Sequence, residues 1–333
     1  MPKGPGPLGS VPGMRAIQVL DTTGPEHLEV REVPDPKPGP DDVLVEVHAV
    51  GVSFPDLLLS RGEYQLKPEP PFSLGVDFAG TVVSGPGFDP GQRVAGVGGY
   101  GGAAELAASH RDWVFPLPDV LSFEEGAALP MNYLTAQFAL AERGDLQAGE
   151  TVLVHGAAGG VGTATIQVAK GYGARTIAVV STEAKGEVAR AAGADEVVLL
   201  DGFKDAVAAL TGGRGVDVVV DVVGGGVFTD SLRSLATQGR LLVVGFAAGQ
   251  GIPEVKVNRL LLNNVDVRGV GWGAYAMVRP GYMQEQWRAL VPMVEAGVVK
   301  PPIGATYSFE EMGRALLDMD QRKTLGKSVV RVR

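Results

Sequence analysis

The chain has 333 residues, 45% of them hydrophobic and 20% charged, with a formal net charge of −9. Such a length fits two domains of ~100–200 residues each, and the acidic balance excludes a sequence-independent nucleic-acid surface or a polybasic membrane patch, both of which need clustered Lys and Arg. The lack of cysteine excludes disulfides and thiol chemistry, and no apolar run reaches the ~18 residues of a membrane span.

Residues 1–13 are rich in Gly and Pro and have no signal-peptide core. Their G-P-L-G-S reads as the scar of a tag linker, with Met14 the natural start, so this leader is expected to be disordered and the protein soluble and cytoplasmic.

From Met14 to about Pro118 the pattern is short, β-like and punctuated. Strands are expected at 14–20, 28–33, 43–50, 76–83 and 92–97, with valine alternating at Val43, Val45 and Val47. Turn clusters separate them at Pro34–Asp41 and Ser84–Gly91. Many short strands with Gly/Pro turns predict a barrel or sandwich.

At Ser122 the texture changes. Ser122-Phe-Glu-Glu125 is a capping box opening a helical run rich in Ala and Leu. A strand–helix alternation follows, with strands at 151–155, 175–180, 196–200, 216–220, 240–245 and 265–270. Helices are expected at 161–172, 183–192, 203–210 and 228–236. This is the pattern of a doubly wound parallel sheet, whose ligand belongs at the carboxyl ends of the strands.

Within it, Thr151–Gly162 reads T-V-L-V-H-G-A-A-G-G-V-G: a buried strand, a loop of small residues and a helix start. The three glycine places of a G-x-G-x-x-G dinucleotide fingerprint fall on Ala157, Gly159 and Gly162. Gly159 leaves room for a phosphate, and the N–H groups opening the helix can bind it. Glycine is abundant here, 48 residues in all, so the loop alone is weak; its place after the first strand of such a series gives it meaning. The tail carries a helix at 283–296, a second S-x-x-E box at Ser308–Glu311, and a last strand at 328–333 that needs a sheet to join, which the early β domain can supply.

The residues Gly51–Tyr64 (G-V-S-F-P-D-L-L-L-S-R-G-E-Y), Leu74–Gly80 (L-G-V-D-F-A-G), Asn132–Ala136 (N-Y-L-T-A), His155–Gly162 and Arg322–Lys327 (R-K-T-L-G-K) give the chain, from Met14 to Arg333, a resemblance to the zinc-less medium-chain dehydrogenases/reductases of the NADPH:quinone oxidoreductase, or zeta-crystallin-like, type. The resemblance implies an α/β protein: a chaperonin-10-like β-barrel domain (14–132 and 274–333) plus a Rossmann doubly wound parallel sheet domain (133–273). A homodimer is expected, with the sixth Rossmann strand as the edge available for pairing.

No metal is expected. In the zinc-dependent relatives a cysteine stands at the position of Ser53 and His-Glu at those of Val76 and Asp77. The four histidines, His27, His48, His110 and His155, show no ligand spacing. Without that Lewis acid alcohol oxidation is disfavoured, and hydride transfer to an electron-poor acceptor, a quinone or an α,β-unsaturated carbonyl, remains.

NADPH is the expected cofactor, because Ser181 and Thr182 stand where NAD sites place an acid, with Lys185 one turn on. These hydroxyls either hold a 2′-phosphate or cap the next helix. Glu183 and Leu200, the latter in place of a tyrosine, depart from the phosphate-binding pattern. The resemblance adds Arg322 at the phosphate and Asn132 and Thr135 beside the nicotinamide. Ala158, Gly159, Gly160 and Val161 form the pyrophosphate loop. Gly245, Phe246 and Ala247 follow the fifth strand and Gly271 and Trp272 the sixth, where loops can cover ring and ribose.

The resemblance implies an acceptor pocket in which relatives often have Asn at the position of Ser53 and Tyr at that of Leu58. Tyr64 is either a hydroxyl donor or core, and Asp56 is expected to brace the junction of barrel and cofactor. No dedicated acid or base is evident, so water is expected to protonate the product. A non-catalytic NADPH-binding sensor or partner-binding protein is the alternative, and plugging of the pocket by Leu58 and Trp272 would favour it.

Overall fold

The computed structural model describes residues 13–333. The expected leader therefore lies outside the described residues, apart from Gly13, which opens the first strand.

In the strand Asp42–Gly51, Val43, Val45 and Val47 are buried and the residues between them half-buried, the period of two that one solvated face demands. This strand is the spine of a seven-stranded sheet. It pairs antiparallel with Asp77–Ser84, with Leu106–His110 and with Lys327–Arg331. Arg93–Val97, Val114–Pro116 and Ile303–Tyr307 complete that sheet, and Gly13–Val19 lies between Glu29–Pro34 and Phe72–Ser73 in a smaller one. The last strand does join the early β domain, as Val330 pairs with Val50. Four strands absent from the sequence reading, Phe72–Ser73, Leu106–His110, Val114–Pro116 and Ile303–Tyr307, are short or interrupted by small residues, and the helix Phe54–Ser60 escaped it because it spans only two turns.

The second sheet has six strands, all parallel, in the order Glu196–Leu199, Arg175–Val180, Thr151–His155, Val216–Asp221, Leu235–Val243, Asp266–Gly269. In chain order this is 3-2-1-4-5-6, so Thr151–His155 and Val216–Asp221 flank the switch point where dinucleotides bind. The fifth strand starts earlier than expected and the preceding helix, Phe228–Arg233, ends earlier. Leu235 and Ala236 already lie in the sheet, and the chain is kinked at Gln238, with φ 65°, before Arg240 resumes the pairing.

The expected helical run after Ser122 is also broken. Ser122 caps only Phe123–Ala127, and Pro130–Leu134 and Phe138–Arg143 wind as wide π-type turns around Thr135–Gln137. Such turns recur at functional sites. The helix Tyr282–Glu295 buries Met283, Trp287, Leu290 and Val294 along one stripe. Its Trp287 stacks on Phe115 of the barrel, ring centroids 4.8 Å apart, and donates to the Pro116 carbonyl.

Candidate active site

The glycine loop leaves the first Rossmann strand at Gly156, which takes the left-handed turn with φ 62°. The tight turn thus falls one residue before Ala157, which is buried and regular, and this corrects the expected alignment. A Cβ at Gly162 would be driven into the Gly156 carbonyl and the Ala157 backbone, so helix and strand can pack only with glycine there. Gly159 caps the helix Gly160–Gly171, and a Cβ there would meet nothing closer than the Gly156 oxygen at 3.4 Å. That face is open. The first backbone bond of the helix runs from Thr163 N–H to the Gly159 carbonyl, which leaves the N–H groups of Gly160, Val161 and Gly162 without an intrahelical acceptor. Together with the helix dipole, they fit a pyrophosphate.

Asn132 closes one side of this loop: its amide packs where a Cβ on Gly160 would lie and donates to the Ala128 carbonyl at 3.3 Å. Thr135, one turn on, is buried against the same helix, and Ala158 is buried in the loop itself.

Ser181 and Thr182 follow the second strand on the same rim, as Val179 pairs with His155 and its carbonyl accepts from Ala157 N–H. Thr182 caps the helix Glu183–Ala191, its hydroxyl accepting from Lys185 N–H at 3.4 Å. Glu183, the opposing charge, is bonded to Arg190 at 2.6 Å. Leu200 stands beside them, exposed, its N–H on the Val180 carbonyl.

Across the sheet, Ala247 and Ala248 N–H bond the Val222 and Val223 carbonyls, stitching the loop after the fifth strand to the loop after the fourth, and Phe246 is exposed. Arg322 is held here: its guanidinium donates to the Ala247 and Ala248 carbonyls at 3.1 and 3.0 Å. The fifth strand stands three places from the second, ~14 Å at the usual spacing, so in this structure Arg322 belongs with the Gly245–Ala247 loop and not with Ser181 and Lys185. Gly271 is exposed after the sixth strand. The Trp272 indole is buried and donates to Gln286 Oε1 at 2.7 Å, which leaves the backbone of 271–272 as its means of meeting a cofactor.

The barrel wall contributes a buried charged cluster. The Ser53 hydroxyl donates to Asp77 Oδ2 at 2.8 Å, and the Lys327 ammonium lies 2.7 Å from Ser53 Oγ and 3.2 Å from the same carboxylate oxygen. Asp77 Oδ1 accepts Met131 N–H at 2.8 Å. Burial pushes the Asp77 carboxyl up from its ordinary value, against the pull of Lys327 and Ser53.

Asp56 is fully buried and accepts three backbone N–H groups, those of Ser53, Gly75 and Val76. Desolvation nevertheless lifts its carboxyl to about 7. It braces the barrel's own loops and not the junction with the cofactor domain, and it is Asp77 that reaches the segment beside Asn132, through Met131 N–H. Tyr64 is half-buried against the barrel core near Asp56, its hydroxyl pushed up by burial. Ser53, Asp56 and Tyr64 are thus brought together, with Ser53 tied to Asp77 and Lys327.

The segment Arg322–Lys327 joins these regions. Besides the Arg322 bonds, Gly326 N–H donates to the Ala158 carbonyl at 3.0 Å, and Lys327 enters the barrel cluster. Asp77 and Lys327 lie inside sequence motifs, Leu74–Gly80 and Arg322–Lys327, that by themselves assign them no chemistry. The available signal was an acid and a base each set in an otherwise apolar or glycine-rich strand, which buried pairing explains.

Residues 39–119 match the alcohol dehydrogenase GroES-like domain family, and residues 160–296 match the zinc-binding dehydrogenase family. The quinone oxidoreductase-like protein 2 of Rattus norvegicus is 38% identical over 310 residues, 91% of this chain and 88% of that protein. A crystal structure of a probable oxidoreductase from Mycobacterium abscessus is 45% identical, covers 97% of this chain and 100% of that one, and superposes with a TM-score of 0.88. A mycobacterial protein solved as a complex with NADPH is 32% identical over 96% of this chain and 99% of its own, with a TM-score of 0.87. No group of three or more His, Cys, Asp or Glu side chains that could hold a metal is present among the described residues, and at the position of the zinc relatives' cysteine Ser53 is bonded to an ammonium. The chain belongs to the zinc-less, quinone oxidoreductase-like branch of the medium-chain dehydrogenases/reductases.

Proposed function

We propose that this protein is an NADPH-dependent reductase that delivers hydride to a quinone or an α,β-unsaturated carbonyl without zinc. The observation that carries the reading is the open face of Gly159 before three unpaired helix N–H groups, a cradle shaped for a pyrophosphate. Bound there, the reduced nicotinamide would supply the hydride. The chain's own part is orientation: Asn132 and Thr135 beside the glycine loop, the Gly245–Ala247 loop across the sheet, and Ser53 and Tyr64 on the barrel side. The 2′-phosphate is assigned to Ser181, Thr182 and Lys185; the charge of Glu183, an objection from sequence, is offset by Arg190. The kinship with quinone oxidoreductases and the NADPH complex of a relative support both cofactor and acceptor class.

The test is oxidation of NADPH and NADH, followed by nicotinamide absorbance, against benzoquinone, a naphthoquinone, a short enone and an enoyl thioester. Turnover with NADPH on one class is expected. Tight NADPH binding with no turnover on any of them would replace this reading with that of a non-catalytic NADPH-binding protein.

We also propose a cytoplasmic homodimer with barrel and Rossmann units divided near residues 132 and 274. Val257, Leu261 and Leu262 are each more than 70% exposed beside the edge strand Asp266–Gly269, an apolar surface that a second copy would cover. Light scattering should give a dimer, and Leu261→Arg a monomer; a monomeric parent protein would end the proposal.

A further inference from the structure

The Ser53–Asp77–Lys327 cluster has a composition that a purely structural ion pair does not need. One ammonium and two carboxylates meet at Ser53, whose N–H bonds Asp56 at 3.1 Å and whose hydroxyl bonds both Asp77 and Lys327. Asp56 is fixed by three backbone donors, and Asp77 by Met131 N–H and Lys327. Ser53 Oγ sits between acid and base. Its single proton points to Asp77, and its lone pairs receive a Lys327 N–H. Phe54, next along the chain, is exposed, while Ser53 and Lys327 keep only 3% and 4% of their surface. Its neighbours tie it to the cofactor loop, through Asp77 to Met131 next to Asn132, and through Gly326 to Ala158.

We propose that Ser53 protonates the oxygen of the reduced acceptor and that Lys327 resupplies the proton. The inference rests on the reductase reading above. The conjugated acceptor takes a hydride from the reduced nicotinamide at carbon, and the displaced π pair moves onto its carbonyl oxygen. The Ser53 hydroxyl turns its proton from Asp77 to the acceptor oxygen, and its O–H bond breaks as the O–H bond of the product forms. A Lys327 N–H proton passes to Ser53 Oγ across 2.7 Å, and the neutral amine regains a proton from water when the product leaves. Asp77 holds Lys327 in place throughout, as a positioning residue.

The test uses 4-nitrophenol, whose phenol and phenolate absorb differently, as a stand-in for the product oxygen on protein loaded with NADP+. The wild type should bind it with its ionisation shifted toward phenolate relative to free solution. The double variant Asp77→Asn/Lys327→Met, which leaves no unpaired buried charge, should fold and bind NADPH as the parent does yet lose that shift. Ser53→Ala should lower kcat on the best acceptor by about a hundredfold with KM little changed, the scale of a general acid.

No binding of 4-nitrophenol, ionisation as in water, an undiminished shift in the double variant, or a Ser53→Ala enzyme within about threefold of parental kcat would each overturn the proposal. Failure of the parent to reduce any acceptor would instead strike the reductase reading, since the absorbance shift needs no turnover.

Discussion

The two walls of the candidate site are built from different materials. The Rossmann wall is made of backbone: Gly156 turns, Gly159 stands aside, Gly162 lets helix and strand touch, and three N–H groups are left without an intrahelical acceptor. Everything it needs lies within a dozen consecutive residues. The barrel wall is made of side chains carried from distant parts of the chain, Ser53, Asp77 and Lys327, the last two 250 residues apart. A backbone cradle tolerates many neighbours but no added atom, whereas a charged cluster tolerates shape changes but no missing partner.

The strongest way to break the comparison is at Lys327. Lys327→Met strands a buried carboxylate and should cost about 3–5 kcal/mol, with Asp77→Asn/Lys327→Met recovering most of it. Urea unfolding measures both. A single variant as stable as the parent would mean that the cluster is not what holds the barrel wall together.

A second effect of similar size is pH. Asp56 has its folded pKa raised to about 7, above its unfolded ~3.9, so the folded state retains a proton that the unfolded chain releases. Stability is therefore lost as pH rises from ~4 to ~7, by about 4 kcal/mol in all, and levels off above. His155, buried and bonded to Ser231 at 2.8 Å, is held down to about 4 and works in the opposite sense, adding stability as pH rises toward ~6.5. The informative quantity is the difference between parent and Asp56→Asn. The variant is less stable at low pH, because an amide cannot accept all three N–H groups, and its stability should not show that fall with rising pH. Parallel stability–pH curves for the two proteins would refute the assignment.

The same contrast decides what could be read from sequence. Strands Thr151–His155 and Arg175–Val180 and helix Phe203–Leu210 were legible to the residue, because apolar period and turn chemistry are local. The strand at Leu235 was not, since its pairing with Val216 and the kink at Gln238 are tertiary facts. In the site, the glycine loop could be recognised from its spacing, although its turn proved to be at Gly156. The Asp77–Lys327 bond could not, because nothing near either residue names the other. Trp272 and Arg322 show the limit of reading by position: Trp272 follows the sixth strand as expected and Arg322 stands in its motif just after the helix Met312–Asp320, but their side chains are held by Gln286 and by the Ala247–Ala248 carbonyls.

Two glycine substitutions sharpen the picture on the backbone wall. Gly162→Ala forces a Cβ into backbone and should destabilise by about 1–3 kcal/mol, with NADPH binding lost as the loop shifts. Gly159→Val places its side chain in open space, so unfolding should change by no more than about 0.5 kcal/mol, while NADPH affinity falls steeply. Equal thermal shifts in the two variants would show that Gly159 serves packing and not a ligand.

The smallest effect is the most specific. Lys185 is half-buried at the first turn of its helix, its N–H on Thr182 and its ammonium the candidate partner of a 2′-phosphate. Lys185→Ala should weaken NADPH about tenfold, ~1.4 kcal/mol, and leave NADH unchanged, by titration of nicotinamide fluorescence. The Thr182 cap survives this change because it bonds backbone, so a loss for both cofactors would have to come from the ammonium acting on something they share, such as the pyrophosphate. A loss for neither would move the phosphate toward Arg322, whose guanidinium would first have to leave the carbonyls that hold it. Arg322→Ala would then discriminate between the cofactors where Lys185→Ala did not.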